Sequence, residues 1–190
     1  MDTLTLDLHS LKLTDEQFYQ LCIDNRNLRF ERNAQGDLLI MPPTGGETGN
    51  RNGRLVQQLF NWSDQDGTGI AFDSSTGFKL PNGANRSPDA SWIPLNKWNG
   101  LTPEQKQRFL PLCPDFAIEL LSPSDRLAKT QEKMKEYLDN EMHLGWLIDR
   151  QQQQVEIYRQ RKEVEILNKP DSLSAENVLS GFVLDLIPIW

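Results

Sequence analysis

Three side chains of this 190-residue sequence are placed for phosphate chemistry: Asp89 after Pro88 at the head of one apolar stretch, Glu119 inside a second, and Lys133 in the charged segment that follows. Two carboxylates lifted to one point by neighbouring strands, with an ammonium beside them, can hold a divalent cation against a phosphodiester and offset the charge of its transition state. The residues therefore point to metal-dependent hydrolysis of nucleic acid, with Asp89 and Glu119 as the expected metal ligands.

Those groups work only if strands carry them. In Asp115-Phe116-Ala117-Ile118-Glu119-Leu120-Leu121-Ser122, Phe116, Ile118 and Leu120 share one strand face, while Ala117, Glu119 and Leu121 share the other. Glu119 is thus an acid within an otherwise apolar strand. An ionised carboxylate taken out of water demands a partner, so Glu119 must meet a metal, a strong donor or a cation such as Arg86 or Arg126. Pro-Asp is a common turn dipeptide and recurs at Pro114-Asp115 and Pro170-Asp171. Only Asp89 opens an apolar segment that follows a candidate partner strand, residues 71–80, through the turn-rich run Pro81–Asn85. Asp115 shares the Glu119 face but stands about 13 Å away at ~3.3 Å per residue, too far to share a metal with it.

Other chemistries are poorly equipped. Two histidines, His9 and His143, and two distant cysteines, Cys22 and Cys113, supply no zinc set, so a metal would be held by oxygen, which favours Mg²⁺ or Mn²⁺. Gly45-Gly46 lacks the Gly-Lys-Ser/Thr of a phosphate-binding loop. Neither histidine lies in a motif that would activate a serine or cysteine nucleophile. The formal charge of −7 opposes broad attraction to DNA or anionic membranes, so nucleic acid must be met by a local positive rim, for which Lys79, Arg86, Arg126, Lys129 and Lys133 are the candidates. No stretch approaches the ~18 apolar residues of a membrane span. The N-terminal residues lack the pattern of a signal peptide, and the cysteines read as buried free thiols, so a cytoplasmic protein is expected.

The surrounding elements suggest an α/β (α+β) domain over residues 1–190, with an N-terminal helix and hairpin (11–41), a core (42–167) and a packing tail (168–190). Thr14 and Asp15 cap a short helix over 14–25 that turns Phe18, Leu21 and Cys22 inward. Residues 27–41 alternate as a hairpin around Asn33–Asp37. A helix of about five turns follows Gly46, with Leu55, Val56, Leu59, Phe60 and Trp62 as its buried stripe. Strands are expected at 71–80, 88–94, 145–148, 155–158 and 164–167, with a short helix between Trp98 and Leu110. Ser122 or Ser124 can cap a helix over 126–140. Its stripe of Leu127, Met134, Tyr137 and Leu138 leaves Lys133 on one flank and Lys135 on the other, with Gln131 also near, and spacing alone barely separates them.

The run Met41–Glu47, then Ser87–Trp92, Phe116–Ser124, Lys133 with Tyr137, Gly145–Asp149 and Val155–Tyr158 resembles the Uma-two family of restriction-endonuclease-like proteins, from about residue 13 to Trp190. That family is similar to the PD-(D/E)XK nucleases, whose third motif is Glu-x-Lys. Here Leu121 stands two residues after Glu119, and the resemblance assigns the lysine role to Lys133. It further implies a mixed central β-sheet flanked by helices, a DNA substrate, and Glu47 at the start of the long helix as a third acid acting directly or through water. An acid favoured by the helix dipole is the plainer account of Glu47. A homodimer is implied by analogy, since two cuts on a duplex call for two sites. From a different class, a non-catalytic module that keeps the fold and binds nucleic acid or protein would also carry these motifs, and the acidic charge and the displaced lysine suit it.

Overall fold

The computed structural model describes residues 3–8, 10–123 and 125–190; the readings that involve His9 and Ser124 lie outside them. The chain opens with β1 (Leu4–Leu6). Thr14 then starts α1 (Asp15–Asp24) with a reciprocal cap: its hydroxyl accepts the Gln17 N–H, and the Gln17 side chain accepts the Thr14 N–H. The hairpin forms as β2 (Arg29–Arg32) and β3 (Leu38–Met41). α2 (Gly46–Asp66) ends where Gly67 turns left-handed at φ +69° and donates its N–H back to the Ser63 carbonyl. α2 buries Leu55, Leu59 and Ser63. Phe60, expected on that stripe, is 37% exposed, because it lies about 140° around the helix from Leu55 at ~3.6 residues per turn.

The expected strand over 71–80 divides into β4 (Gly69–Asp73) and β5 (Phe78–Lys79). The Asp73 carboxylate accepts from the Ser75 N–H and hydroxyl and fixes a turn between them. β6 (Asn85–Arg86) and β7 (Ala90–Pro94) follow. The single helix expected between 98 and 110 is instead two, α3 (Leu95–Asn99) and α4 (Pro103–Lys106), separated at Gly100 and restarted by a Thr102–Gln105 capping box. β8 (Phe116–Leu121) and α5 (Leu127–Asp139) come next. Arg126 occupies the N-cap of α5 without a side-chain cap, so Ser122 does not serve there. β9 (Leu144–Asp149), β10 (Gln154–Arg159) and β11 (Glu165–Asn168) lie at the expected places, and β12 (Ser172–Ser174) pairs with β13 (Val183–Asp185) in the tail.

The central sheet has six strands in the order β11-β10-β9-β8-β7-β4. Its neighbours are antiparallel except β8 and β9, which run parallel because α5 crosses between them. The alternation of β8 decides what each face meets. Phe116, Ile118 and Leu120 pack with Leu55 and Leu59 of α2 and with Phe182, Leu184 and Ile189 of the tail, while Ala117 packs with Met134 and Tyr137 of α5. Glu119 lies on that second face, toward α5. A second, five-stranded sheet, β1-β3-β2-β6-β5, is joined to α5 by buried ion pairs from β2 and β6.

Candidate active site

Strand register brings the two acids together. Ala90 of β7 stands opposite Ile118 of β8, so Asp89, one residue ahead, falls opposite Glu119 and on the same side of the sheet. Both line a cavity of about 660 Å³ whose walls include the Met41–Glu47 loop, Asn52, Arg126, Lys129 and Lys133. The Asp89 carboxylate is held at both oxygens: Oδ2 accepts from the Leu120 N–H at 2.8 Å and Oδ1 from the Asn52 amide at 3.2 Å.

Glu119 is 7% exposed. Its Oε1 accepts from the Tyr137 hydroxyl at 3.0 Å and lies 2.8 Å from the Lys133 ammonium. The partner demanded by an acid within an apolar strand is therefore Lys133, not Arg86 or Arg126. The spacing of α5 explains the choice. With Met134 and Tyr137 buried against the sheet, Lys133 reaches Glu119, whereas Lys135 is exposed and Gln131 donates to Glu156 of β10 at 2.7 Å.

Sequence reasoning missed two residues. Glu31 of β2 is 2% exposed; it accepts from Lys133 at 2.8 Å, from Arg86 at 3.1 Å and from the Ser87 N–H at 2.9 Å. Its one signal in the sequence was an acid within a hairpin strand, between Phe30 and Arg32. Asn52 was hidden among the polar residues of α2; its side-chain oxygen is buried and accepts no hydrogen bond among the described residues.

The charges settle unevenly. Burial favours the neutral acid at Glu31, but Lys133 and Arg86 overcome it and hold the carboxyl down at about 2. Glu119 shares the same ammonium, and burial, opposed by Lys133 and reinforced by the charges of Asp89 and Glu31, pushes it up to about 7. Burial also raises Asp89, against the Leu120 N–H and Lys133. Burial works against the Lys133 ammonium, but the carboxylates of Glu119 and Glu31 outweigh it and raise its pKa, so Lys133 is a fixed positive charge near neutral pH.

Glu47 lies elsewhere in the lining. Its side chain is 82% exposed, paired with Arg51 at 3.1 Å and facing Arg150 at 3.7 Å; among the described residues it bonds to neither Asp89 nor Glu119. The expected positive rim is also redrawn. Arg126, Lys129 and Lys133 line the cavity together with Arg29. Lys79 is turned to Asp15 on α1, and Arg86 is buried between Glu31 and Glu136, because β5 and β6 belong to the second sheet.

Among the described residues no three His, Cys, Asp or Glu side chains gather as a metal-binding group. The available donors are the Asp89 and Glu119 carboxylates and the unpartnered Asn52 oxygen. These are hard oxygen ligands beside a cluster where Glu31, Glu119 and Glu136 bring three carboxylates to two cations, Arg86 and Lys133. Such a set fits Mg²⁺ or Mn²⁺ and not zinc.

A mixed sheet that sets an acid pair against a lysine from the crossover helix defines a restriction-endonuclease-like protein. Residues 15–186 match the Uma2 (Uma-two) family, described as "Putative restriction endonuclease", and the chain belongs to that family. Its fold is similar to a crystal structure described as a putative nuclease belonging to DUF820 from Anabaena variabilis ATCC 29413, with a TM-score of 0.76 and 20% identity over 93% of this chain and 97% of that one. No curated protein matches the chain. No helix among the described residues is long and apolar enough to cross a membrane.

Proposed function

We propose that this protein is a metal-dependent endonuclease that hydrolyses DNA phosphodiester bonds, with Asp89 and Glu119 as metal ligands and Lys133 as the charge that steadies the transition state. The observation that carries the reading is the Lys133 ammonium held 2.8 Å from Glu119, across the sheet register from Asp89. Bound there, Mg²⁺ or Mn²⁺ would polarise the phosphodiester and lower the pKa of a water. Asn52 and the Leu120 N–H orient Asp89. Tyr137, whose hydroxyl burial and Glu119 keep protonated, orients Glu119. Lys133, fixed as an ammonium, acts as an electrostatic stabiliser of the developing negative charge and not as a base. Arg126 and Lys129 in the cavity lining provide positive charge for a phosphate backbone in an otherwise acidic protein. Glu47, exposed in the cavity lining and paired with Arg51 and Arg150, is proposed as a third acid that acts only through water and not as a direct ligand. The reading includes a homodimer, since cutting both strands needs two sites, and a cytoplasmic setting, which suits the two free cysteines.

The test is nicking of supercoiled plasmid by purified protein. Activity with Mg²⁺ or Mn²⁺ that chelator removes, and that Asp89→Ala and Glu119→Ala each abolish without loss of fold, supports the reading. Lys133→Ala should slow the reaction by about 10² or more. Nicking that persists unchanged in Asp89→Ala would place it in a contaminant, and its absence under every metal and substrate would favour the non-catalytic binding module.

A further inference from the structure

Glu31 belongs to neither strand that carries the acid pair, yet it touches both remaining parts of the site. One carboxylate oxygen, Oε1, accepts from the Lys133 ammonium at 2.8 Å and from the Ser87 N–H at 2.9 Å, and Ser87 is two residues ahead of Asp89. The other, Oε2, takes the Arg86 guanidinium at 3.1 Å, which in turn reaches Glu136 on α5 at 2.6 Å. The Glu31 side chain is 3% exposed and Lys133 15%, so these contacts are shielded from the competition by water that makes surface ion pairs weak. The lysine stem is long and flexible, and an ammonium bonded to Glu119 alone could swing about that one contact. Two carboxylates on different sheets fix it between them, as outer contacts fix the groups that do chemistry.

We propose that Glu31 is a positioning residue of the site: from the second sheet it anchors the Lys133 ammonium beside Glu119 and, through the Ser87 N–H, the segment that delivers Asp89. The inference rests on the nuclease reading for its effect on rate, and on geometry alone for the anchoring.

Glu31→Gln keeps the size and an acceptor for Ser87 while removing the charge that faces Lys133. It should lower kcat for metal-dependent nicking by about 10- to 100-fold, as loss of an outer partner does, with little change in KM. In the Lys133→Ala background the same change should cost nothing further, because a residue that acts through another has no effect once that other is gone. Glu31→Asp, which retains the charge with a shorter reach, should recover part of kcat and serves in place of Glu31→Gln if that variant does not fold. Equal losses in the wild-type and Lys133→Ala backgrounds would show a general structural role and overturn the proposal.

A second readout is independent of catalysis. In ¹⁵N-lysine-labelled protein without metal or substrate, the Lys133 ammonium, shielded by two carboxylates, should give a slowly exchanging Nζ–H signal, identified by its absence in Lys133→Arg. Loss or a clear shift of that signal in Glu31→Gln supports the anchoring, and an unchanged signal overturns it. Wild-type protein that cleaves nothing would defeat the nuclease reading, and this signal would still decide the role of Glu31.

Discussion

Replacing Lys133 by Met keeps most of the volume of the side-chain stem and removes the ammonium, so that Glu119 and Glu31 face each other without their shared cation. Glu31 retains Arg86 at 3.1 Å and the Ser87 N–H at 2.9 Å and stays ionised. Among the described residues Glu119 retains only the Tyr137 hydroxyl at 3.0 Å, and it escapes by taking up a proton. Removing one member of a buried pair costs about 3–5 kcal/mol when the other stays charged, and protonation of Glu119 relieves part of that cost at low pH.

The pH dependence follows from where each group titrates. A carboxyl whose folded value exceeds its unfolded one binds its proton more tightly in the native state, so stability falls as pH rises from the unfolded value to the folded value and is level beyond it. In the wild type that interval for Glu119 runs from 4.5 to about 7. Without Lys133 the upper end moves higher, and stability continues to fall above neutrality by up to about 1.4 kcal/mol per pH unit. In the wild type Lys133 and Arg86 hold Glu31 at about 2; in the variant its value rises with the loss of Lys133, while Arg86 and the Ser87 N–H still favour the ionised form. Lys133, with its value raised, contributes stability that is constant until strongly alkaline pH. The loss caused by Lys133→Met should therefore be roughly 2 kcal/mol larger at about pH 8.5 than at about pH 6.5. Urea unfolding of both proteins in chelator at the two pH values measures it, and an equal loss at both would refute the shared-ammonium account.

Three further substitutions test neighbouring parts of the structure. A Cβ at Gly69 would lie 2.2 Å from the Trp92 ring and 2.3 Å from the Ile93 carbonyl oxygen, so Gly69→Ala should lower Tm clearly. Gly145→Ala should lower it less, because its nearest contacts are the flexible methyl ends of Met134 and Met142 at 2.5 Å; thermal melts that rank the two the other way would contradict this packing. Lys135→Ala should leave plasmid nicking within about twofold of wild type, since an exposed surface charge of this kind is usually worth under ~1 kcal/mol. A loss like that of Lys133→Ala would move the lysine role to Lys135.

The parts of the fold that local chemistry dictates were legible in the sequence. Thr14 and Asp15 announced a helix start, and the alternation around Glu119 placed an acid inside a buried strand. Gly145–Ile148 read as a strand because it is an apolar run, and Val155–Tyr158 because it is rich in β-branched and aromatic residues. What was not legible depended on which strands meet. Nothing local says that residues 71–80 break at Asp73 to feed two sheets, or that Arg86 and Lys79 belong to the second of them. Arg86 and Lys79 looked like rim cations for that reason, and Glu31 drew no reading, because only tertiary packing sets it against Lys133 at a sequence distance of 102 residues. Lys133 and Lys135 flank the same helical stripe, and only the position of β8 beneath α5 separates them.

The claim on which the account turns is that Asp89 and Glu119 form one cation site. Crystals of the wild-type protein soaked in Mn²⁺ and measured at a wavelength where manganese scatters anomalously locate the ion directly. The account predicts a peak within ligand distance of both the Asp89 and Glu119 carboxylates, about 2.1–2.2 Å as expected for a small hard cation on oxygen, and its loss in Asp89→Ala. A peak at Glu47 with none between Asp89 and Glu119, or a peak that survives unchanged in Asp89→Ala, would contradict it.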